Sequence, residues 1–501
     1  MGKWTRRAFI TTGVLAGGVV VFGVAIRRGD RADKVHGLVA NDGDTLFDVW
    51  LKIAPDNTVT AIVPHAEMGQ GAHTTLAMML ADELDADWSK VEILEAPSHA
   101  EYANYALARG FAAGDVDFPA WLVDTVDGVF FRATQAMGLQ ITGGSMSVKT
   151  TGQLAMRVTG AAARSALLAA AADEWQVPVA ELSTADSMVT HEASGRSATY
   201  ASLAPAAAEQ SLPDKPALKN ADEFRIMGTS RPRNDIPPKV DGTAMFGIDA
   251  ELPGMKHAAI KAAPVFGGAV ARLDPASVQD MPGVRKVISL DNAVAVIADG
   301  YWQARKALDA LDVEFSDGGN SQVEQTTIFS QFASDLDSAA ATGDEEVDLE
   351  SGNAPAALDS ASQLVEAEYR VPYLAHSPME PMNCTAWVHD DQCELWTGTQ
   401  NPLGFAKDVA DALDMDLEQV TVHNQYLGGG FGRRAFSDYA VQAARLAREV
   451  PYPVKLVWSR EEDTRHDHYR QASISRFSGG LDADGKPVAW HNHYVNKYDP
   501  E

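Results

Sequence analysis

The chain has 501 residues, a formal net charge of −28 and 46% apolar residues. That length calls for two or more domains with ample core, and the acidic balance excludes nucleic acid as a partner, because phosphate binding needs a basic face. Cysteine occurs twice, as Cys384 and Cys393, too few for this chain alone to hold an iron–sulfur cluster. A disulfide in an oxidising compartment and a pair of buried free thiols are both open, the second favoured.

Residues 1–30 read as a targeting segment. Thr5-Arg6-Arg7-Ala8-Phe9-Ile10 has the form of a twin-arginine export motif. The apolar run over 13–26 is short for a membrane span and fits a signal h-region. The expectation is therefore a periplasmic protein. No clean A-x-A cleavage site follows, so retention as an anchor in the inner membrane stays open.

A β-rich strand over 57–64 runs into Glu67-Met68-Gly69-Gln70-Gly71-Ala72-His73-Thr74-Thr75. The helix that follows carries Leu76, Met79, Leu80 and Leu84 on one face. Thr74 and Thr75 stand where an N-cap belongs. A glycine loop feeding a helix N-terminus offers free N–H groups and the positive dipole end to an anion; an ordinary capped helix is the plain alternative. Thr142-Gly143-Gly144-Ser145-Met146-Ser147 is a second small-residue loop, before an alanine-rich helix predicted over 157–175. The stretch 204–219 reads as a linker rich in Ala and Pro, 235–320 as a separate module, and 334–360 as an acidic, solvated connection.

In 395–434, a short strand leads to the turn Thr397-Gly398-Thr399-Gln400-Asn401-Pro402. A helix with Phe405, Val409 and Leu413 on one face comes next, then the strand Val420-Thr421-Val422. It ends in Gly428-Gly429-Gly430-Phe431-Gly432-Arg433-Arg434. The glycines leave N–H groups bare for anionic oxygens, and the arginines suit phosphate. A tight strand–helix turn is the alternative. Residues 81–93, ADELDADWSKVEI, and 410–422, ADALDMDLEQVTV, share Ala, Asp, Leu, Asp, Asp and Val at one offset (410 − 81 = 329). Two strand–turn–helix–strand units imply an internal duplication able to clasp one ligand from two sides.

Glu67-Met68-Gly69-Gln70-Gly71 with His73 and Thr74, the Thr397–Asn401 turn, and the Gly428–Arg434 loop together resemble the large subunit of the xanthine dehydrogenase/aldehyde oxidase family. The closest likeness is to the isoquinoline 1-oxidoreductase branch, to its beta chain, over nearly all of the sequence after residue 40. The resemblance implies an α+β fold: duplicated molybdopterin-binding α/β units over 40–220 and 355–501 flank an α/β hammerhead domain over 235–320. It implies molybdopterin cytosine dinucleotide with molybdenum, and a small partner subunit holding 2Fe–2S clusters. A cytochrome electron acceptor fits the export signal.

By the same resemblance, Gly69, Gln70 and Gly71 approach the pterin or its phosphates. Gly144, Ser145 and Ser147 contribute from the middle loop, and Gly429, Gly430, Phe431, Gly432 and Arg433 from the last. Gln400 matches the glutamine that approaches the apical oxo group, and Phe431 the aromatic beside the metal. No side chain is a metal ligand, His73 included, and His466-Asp467-His468 is taken as a structural loop. Glu380 is expected to bond backbone near the pocket. Ala435 replaces the glutamate of purine-oxidising relatives, which favours aldehydes or N-heteroaromatics as small-molecule substrates. The family's general-base glutamate has no counterpart up to Glu501, so the second unit is expected to be incomplete and turnover weak. A non-catalytic remnant and an exported binding protein of the same fold are the competing readings.

Overall fold

The computed structural model describes residues 28–114, 116–210, 215–343 and 346–496. The twin-arginine motif and its apolar run lie outside the described residues, as does the middle of the acidic stretch. Among the described residues no helix is long and apolar enough to cross a membrane. The fold is α+β and divides into two compact units, each drawn from two stretches of chain. One gathers Met1–Ala258 and Pro378–Val457, the other Ala259–Ser377 and Trp458–Glu501.

The first unit contains the same βαβ crossover twice. In the first copy, strands β1 (Thr45–Asp48), β2 (Leu51–Ile53), β3 (Val59–Val63) and β4 (Val91–Glu95) lie side by side in that order. β2 is antiparallel to β1 and β3, and β3 is parallel to β4. Helix α1 (Ala72–Leu84) makes the crossover. α2 (Tyr105–Ala113) and α3 (Arg157–Trp175) follow. In the second copy β5 (Asn383–His389) and β6 (Gln392–Thr397) are antiparallel. Helix α4 (Pro402–Leu413) then crosses to β7 (Val420–Asn424), parallel to β6. Helix α5 (Asp438–Arg448) leads to β8 (Val454–Val457), which pairs with β5 and, through Val454–Leu456, with Lys256–Ala258.

The two copies agree residue by residue. Asp85 ends α1 at φ 57° and Asp414 ends α4 at φ 55°, both left-handed, a conformation Asp tolerates better than most side chains. A short 3-10 turn follows each, at Trp88–Lys90 and Leu417–Gln419. The register closes alike: Val63 pairs with Glu95, and Thr397 with Asn424. β3 is buried at every position, as expected of a strand covered on both faces. Leu76, Leu80 and Leu84 of α1 enter a core shared with Ala163, Leu167 and Ala170 of α3. Alanine and glycine let these helices approach closely: a Cβ on Gly160 would stand 2.4 Å from the Leu80 carbonyl oxygen.

Two expectations are corrected. The linker expected over 204–219 begins as helix: Tyr200–Ala208 buries Leu203, Ala204 and Ala207, so these small residues are core. The connection expected over 334–360 is largely helical in the second unit. Gln325–Thr342 buries Ile328, Phe329, Phe332 and Leu336 at helical spacing, and Ala354–Asp359 is a further turn. Acidic residues on the outer face hid that stripe. The second unit also contains the antiparallel strands Gln363–Val371, Ser473–Leu481 and Pro487–Val495. There Asp467 accepts hydrogen bonds from the backbone and ring of His376.

Candidate functional site

Three loops of the first unit converge on Gln400, which is 3% exposed. Its N–H donates to the Arg434 carbonyl at 2.8 Å, and its carbonyl accepts from the Thr142 N–H at 2.7 Å. Its carboxamide makes the same join again. Nε2 donates to the Thr142 carbonyl at 3.0 Å, and Oε1 accepts from the Gly432 N–H at 3.0 Å. Thr142 Oγ1 in turn accepts from the Ala66 N–H at 2.9 Å. Gln400 thus ties the middle loop to the glycine loop, and Thr142 adds the loop before α1. A Cβ on Gly430 would lie 2.5 Å from Gln400 Oε1 and 2.9 Å from Met68 Sδ, so any larger residue there must displace the hydrogen-bonded Gln400 carboxamide.

Phe431 is displayed rather than packed. It sits at φ 55°, between Gly429 at 97° and Gly432 at 104°. Left-handed backbone costs a bulky residue about 1–3 kcal/mol. At 71% exposed, Phe431 recovers little of that by burial. That strain is not offset by packing, so the rest of the loop must hold it.

The loop before α1 is shaped around a carboxylate of its own. Glu67 is fully buried. Its Oε1 accepts from the Gly69 N–H at 2.9 Å and the Gly71 N–H at 3.0 Å, and its Oε2 from the His73 N–H at 3.3 Å. Arg233 Nη2 approaches the same carboxylate at 3.1 Å. The N–H groups expected to greet a ligand anion are therefore taken by an internal one. Gln70 folds back, donating to the Ala66 carbonyl at 2.9 Å and accepting from the Met68 N–H at 2.8 Å.

The glycine loop repeats the device. Glu380 Oε2 accepts from the Gly428 N–H at 2.8 Å and from Arg434 Nη2 at 3.0 Å, and Oε1 from the Ile248 N–H at 2.9 Å. Arg434 also donates to the carbonyls of Gly429 and Gly398. Arg433 forms a two-pronged pair with Asp438 at 2.9 and 2.8 Å. Both guanidinium groups are fully buried. The phosphate-pairing role expected of them does not match this geometry, because each already faces a carboxylate.

In the middle loop Ser147 is buried, its Oγ accepting from the Gly143 N–H at 2.7 Å, while Gly143 and Ser145 remain exposed. Ser147–Met156 winds as a π-helix before becoming α3, a feature the sequence did not signal. A Cβ at Gly69 or Gly144 meets nothing within 4 Å, so the space before both is open. The open rim (Gly69, Gln70, Gly143, Gly144, Ser145, Phe431) carries no formal charge. The N–H groups of Gly69 and Gly143 are bonded within the chain, which leaves other peptide groups, the Ser145 hydroxyl and an aromatic edge, a set suited to a neutral heterocycle such as a pterin.

Below the rim lie two histidines of opposite character. Burial, with His73 nearby, pushes His65 down to about 3, so it is neutral. Burial also opposes charge on His73, but the hydrogen bond and charge of Glu95 hold its pKa above the ordinary value. Both cysteines are free and buried. Burial pushes the Cys393 thiol up to about 12.

Comparison with known proteins bears on this geometry. Two models of the molybdopterin cofactor-binding domain match the chain, at residues 19–108 and 338–498, each spanning one copy of the crossover. The beta chain of isoquinoline 1-oxidoreductase from Brevundimonas diminuta is 30% identical over 96% of this chain and 62% of its own length. A membrane-bound aldehyde dehydrogenase (pyrroloquinoline-quinone) of Gluconacetobacter polyoxogenes is 30% identical over 97% of this chain and 59% of its own. A nicotinate dehydrogenase subunit from Pseudomonas putida is 26% identical over 88% and 34%. The chain therefore spans less than two thirds of these relatives. It belongs to the xanthine dehydrogenase/aldehyde oxidase family, as a molybdopterin-binding chain.

Proposed function

We propose that this chain is the molybdenum-bearing part of a hydroxylase that oxidises an aldehyde or an N-heteroaromatic carbon with oxygen from water. The convergence of three loops on Gln400, with Phe431 held out beside it, carries the reading. Relatives named for isoquinoline, aldehyde and nicotinate support the substrate class. Ala435, in place of a purine-type glutamate, agrees. The molybdopterin-domain matches lie on this chain itself, so we take molybdopterin over the quinone in one relative's name.

Molybdopterin-bound molybdenum supplies two-electron oxidation chemistry when present. The chain's residues bind and orient. Gln70, Gly144 and Ser145 would offer peptide and hydroxyl hydrogen bonds to the pterin, and Gly69, whose own N–H is held by Glu67, would let it come close. Gly429, Gly430 and Gly432 let backbone come close, and Phe431 sets an aromatic edge over the opening. Gln400 Nε2 carries a second hydrogen beyond the one given to Thr142, and would donate it to a cofactor oxygen within reach. Ser147 and Arg433 hold these loops from inside. Glu67 and Glu380 are committed to loop N–H groups and arginines, so neither is assigned proton transfer.

We further read the cofactor as the cytosine dinucleotide form. Electrons pass to a small 2Fe–2S subunit and then to a cytochrome, with the assembly in the periplasm. The twin-arginine motif at Arg6-Arg7, a route for folded, cofactor-loaded proteins, supports the location.

The test is molybdenum and nucleotide content of the chain co-expressed with molybdopterin maturation factors and a small iron–sulfur partner. Near-stoichiometric molybdenum with released cytidine monophosphate is the expected result. Soluble, folded protein without molybdenum would overturn the reading.

A further inference from the structure

Beneath the opening runs a line of contacts from one repeat to the other. His73, in the first turn of α1, is 7% exposed. Its Nε2 lies 2.7 Å from the His65 carbonyl oxygen and 3.3 Å from Glu95 Oε2. Both neighbours are acceptors, so Nε2 carries a proton. The other oxygen of Glu95 accepts from Asn424 Nδ2 at 2.5 Å. Asn424 then grips the Thr399 peptide on both sides: Oδ1 accepts from the Thr399 N–H at 2.9 Å, and Nδ2 also donates to its carbonyl at 3.2 Å. Thr399 precedes Gln400 directly, and its Oγ1 accepts from the Asn401 N–H at 3.0 Å.

We propose that Glu95, paired with His73, is a positioning residue for the reaction centre. Through Asn424 it fixes the Thr399–Gln400 peptide, and with it the carboxamide of Gln400. The inference rests on the reading that Gln400 marks that centre. An asparagine amide can turn over by half a rotation, exchanging donor and acceptor. Glu95 accepts only, so it allows one orientation, with Nδ2 toward β4 and Oδ1 toward the Thr399 N–H. His73 in turn holds Glu95 in place through its Nε2 hydrogen, with Nε2 3.3 Å from Oε2. The other groups facing this pair are Glu67, whose carboxylate also favours the imidazolium, neutral His65, and Tyr426, whose hydroxyl is held protonated by burial and then by Asp235 and Glu95.

The sign of the pH effect follows. A histidine with a raised folded pKa keeps its partner at low pH and releases it as pH rises through that value. The clasp is thus complete on the acid side and loosens on the alkaline side.

Amide exchange of the peptide spanning Thr399 and Gln400, read by mass spectrometry on the full chain, tests this without relying on turnover. Glu95→Gln and Asn424→Ser are each expected to speed exchange there about tenfold, with α3 unchanged. Wild-type protein, corrected for intrinsic rates, is expected to show the same acceleration as pH rises through the His73 titration, and His73→Gln to abolish that step. In molybdenum-loaded enzyme, Glu95→Gln lowers kcat, keeps the molybdenum content and flattens the alkaline limb of the pH profile. Unchanged exchange at Thr399 and Gln400 in both variants would overturn the proposal. Faster exchange in a chain that never takes up molybdenum would uphold the coupling and overturn the reading of the site instead.

Discussion

Glu95 and Asn424 are 329 residues apart in sequence and 2.5 Å apart in space. Each is the last residue of its strand, β4 or β7, and each occupies the same position in its own copy of the crossover. The contact therefore joins the two copies at equivalent points. An acceptor-only carboxylate on one side and an amide on the other break that equivalence, and the amide is the side that carries Gln400.

Gly430 should not tolerate a methyl group. The crossing between Gln400 and Met68 leaves no room, and overpacking of this kind costs about 1–3 kcal/mol. Gly430→Ala is expected to lower both thermal stability and molybdenum content. Gly69→Ala has room for its methyl and should not clash, so its smaller loss reports only backbone strain at φ 102°.

Phe431→Gly separates stability from activity. Removing an exposed aromatic from left-handed backbone is expected to hold or raise stability, by up to about 1 kcal/mol. Turnover should fall all the same. Paired measurement of Tm and kcat checks the opposed directions.

Arg434→Met leaves the Glu380 carboxylate buried without its partner. Breaking one side of a buried pair costs about 3–5 kcal/mol, so chemical denaturation should show a large loss. Glu380→Gln with Arg434→Met should recover part of it. Equal losses for the single and double changes would refute the pairing.

His65 gives acid sensitivity opposite in sign to His73. Its folded pKa is depressed from 6.5 to about 3, so its contribution is whole above pH 6.5 and is lost as pH falls toward 3. A titration of stability over that range should be shallower in His65→Gln than in wild type.

The cysteines should be silent. Both are buried, and burial raises both thiol pKa values, so little thiolate is present at neutral pH. Alkylation with iodoacetamide is expected only after denaturation, for Cys384 and Cys393 alike.

Much of this architecture was legible because it follows from spacing. The repeated Ala, Asp, Leu, Asp, Asp and Val predicted two crossovers, and the structure gives each the same left-handed aspartate, at Asp85 and Asp414. The alanine-rich run after the small-residue loop placed α3 over Arg157–Trp175. The glycine loops could be found but not read. Nothing local in Glu67-Met68-Gly69-Gln70-Gly71 says that the glutamate turns inward and takes the glycine N–H groups. Its partner Arg233 is far away in sequence. The same holds for Arg433 and Arg434, which look like phosphate ligands until Asp438 and Glu380 come into contact with them. Glu380 was expected as a structural group, but not as the anion of the glycine loop. The repeat as read ends at Ile93 and Val422, two residues short of Glu95 and Asn424, and an offset says nothing about contact.

The internal carboxylates Glu67 and Glu380 bear on how such a chain is assembled. A loop that closes around a carboxylate of its own draws part of its shape from inside the chain, so a substitution at Glu67 or Glu380 is expected to change the loop itself and not only what it holds.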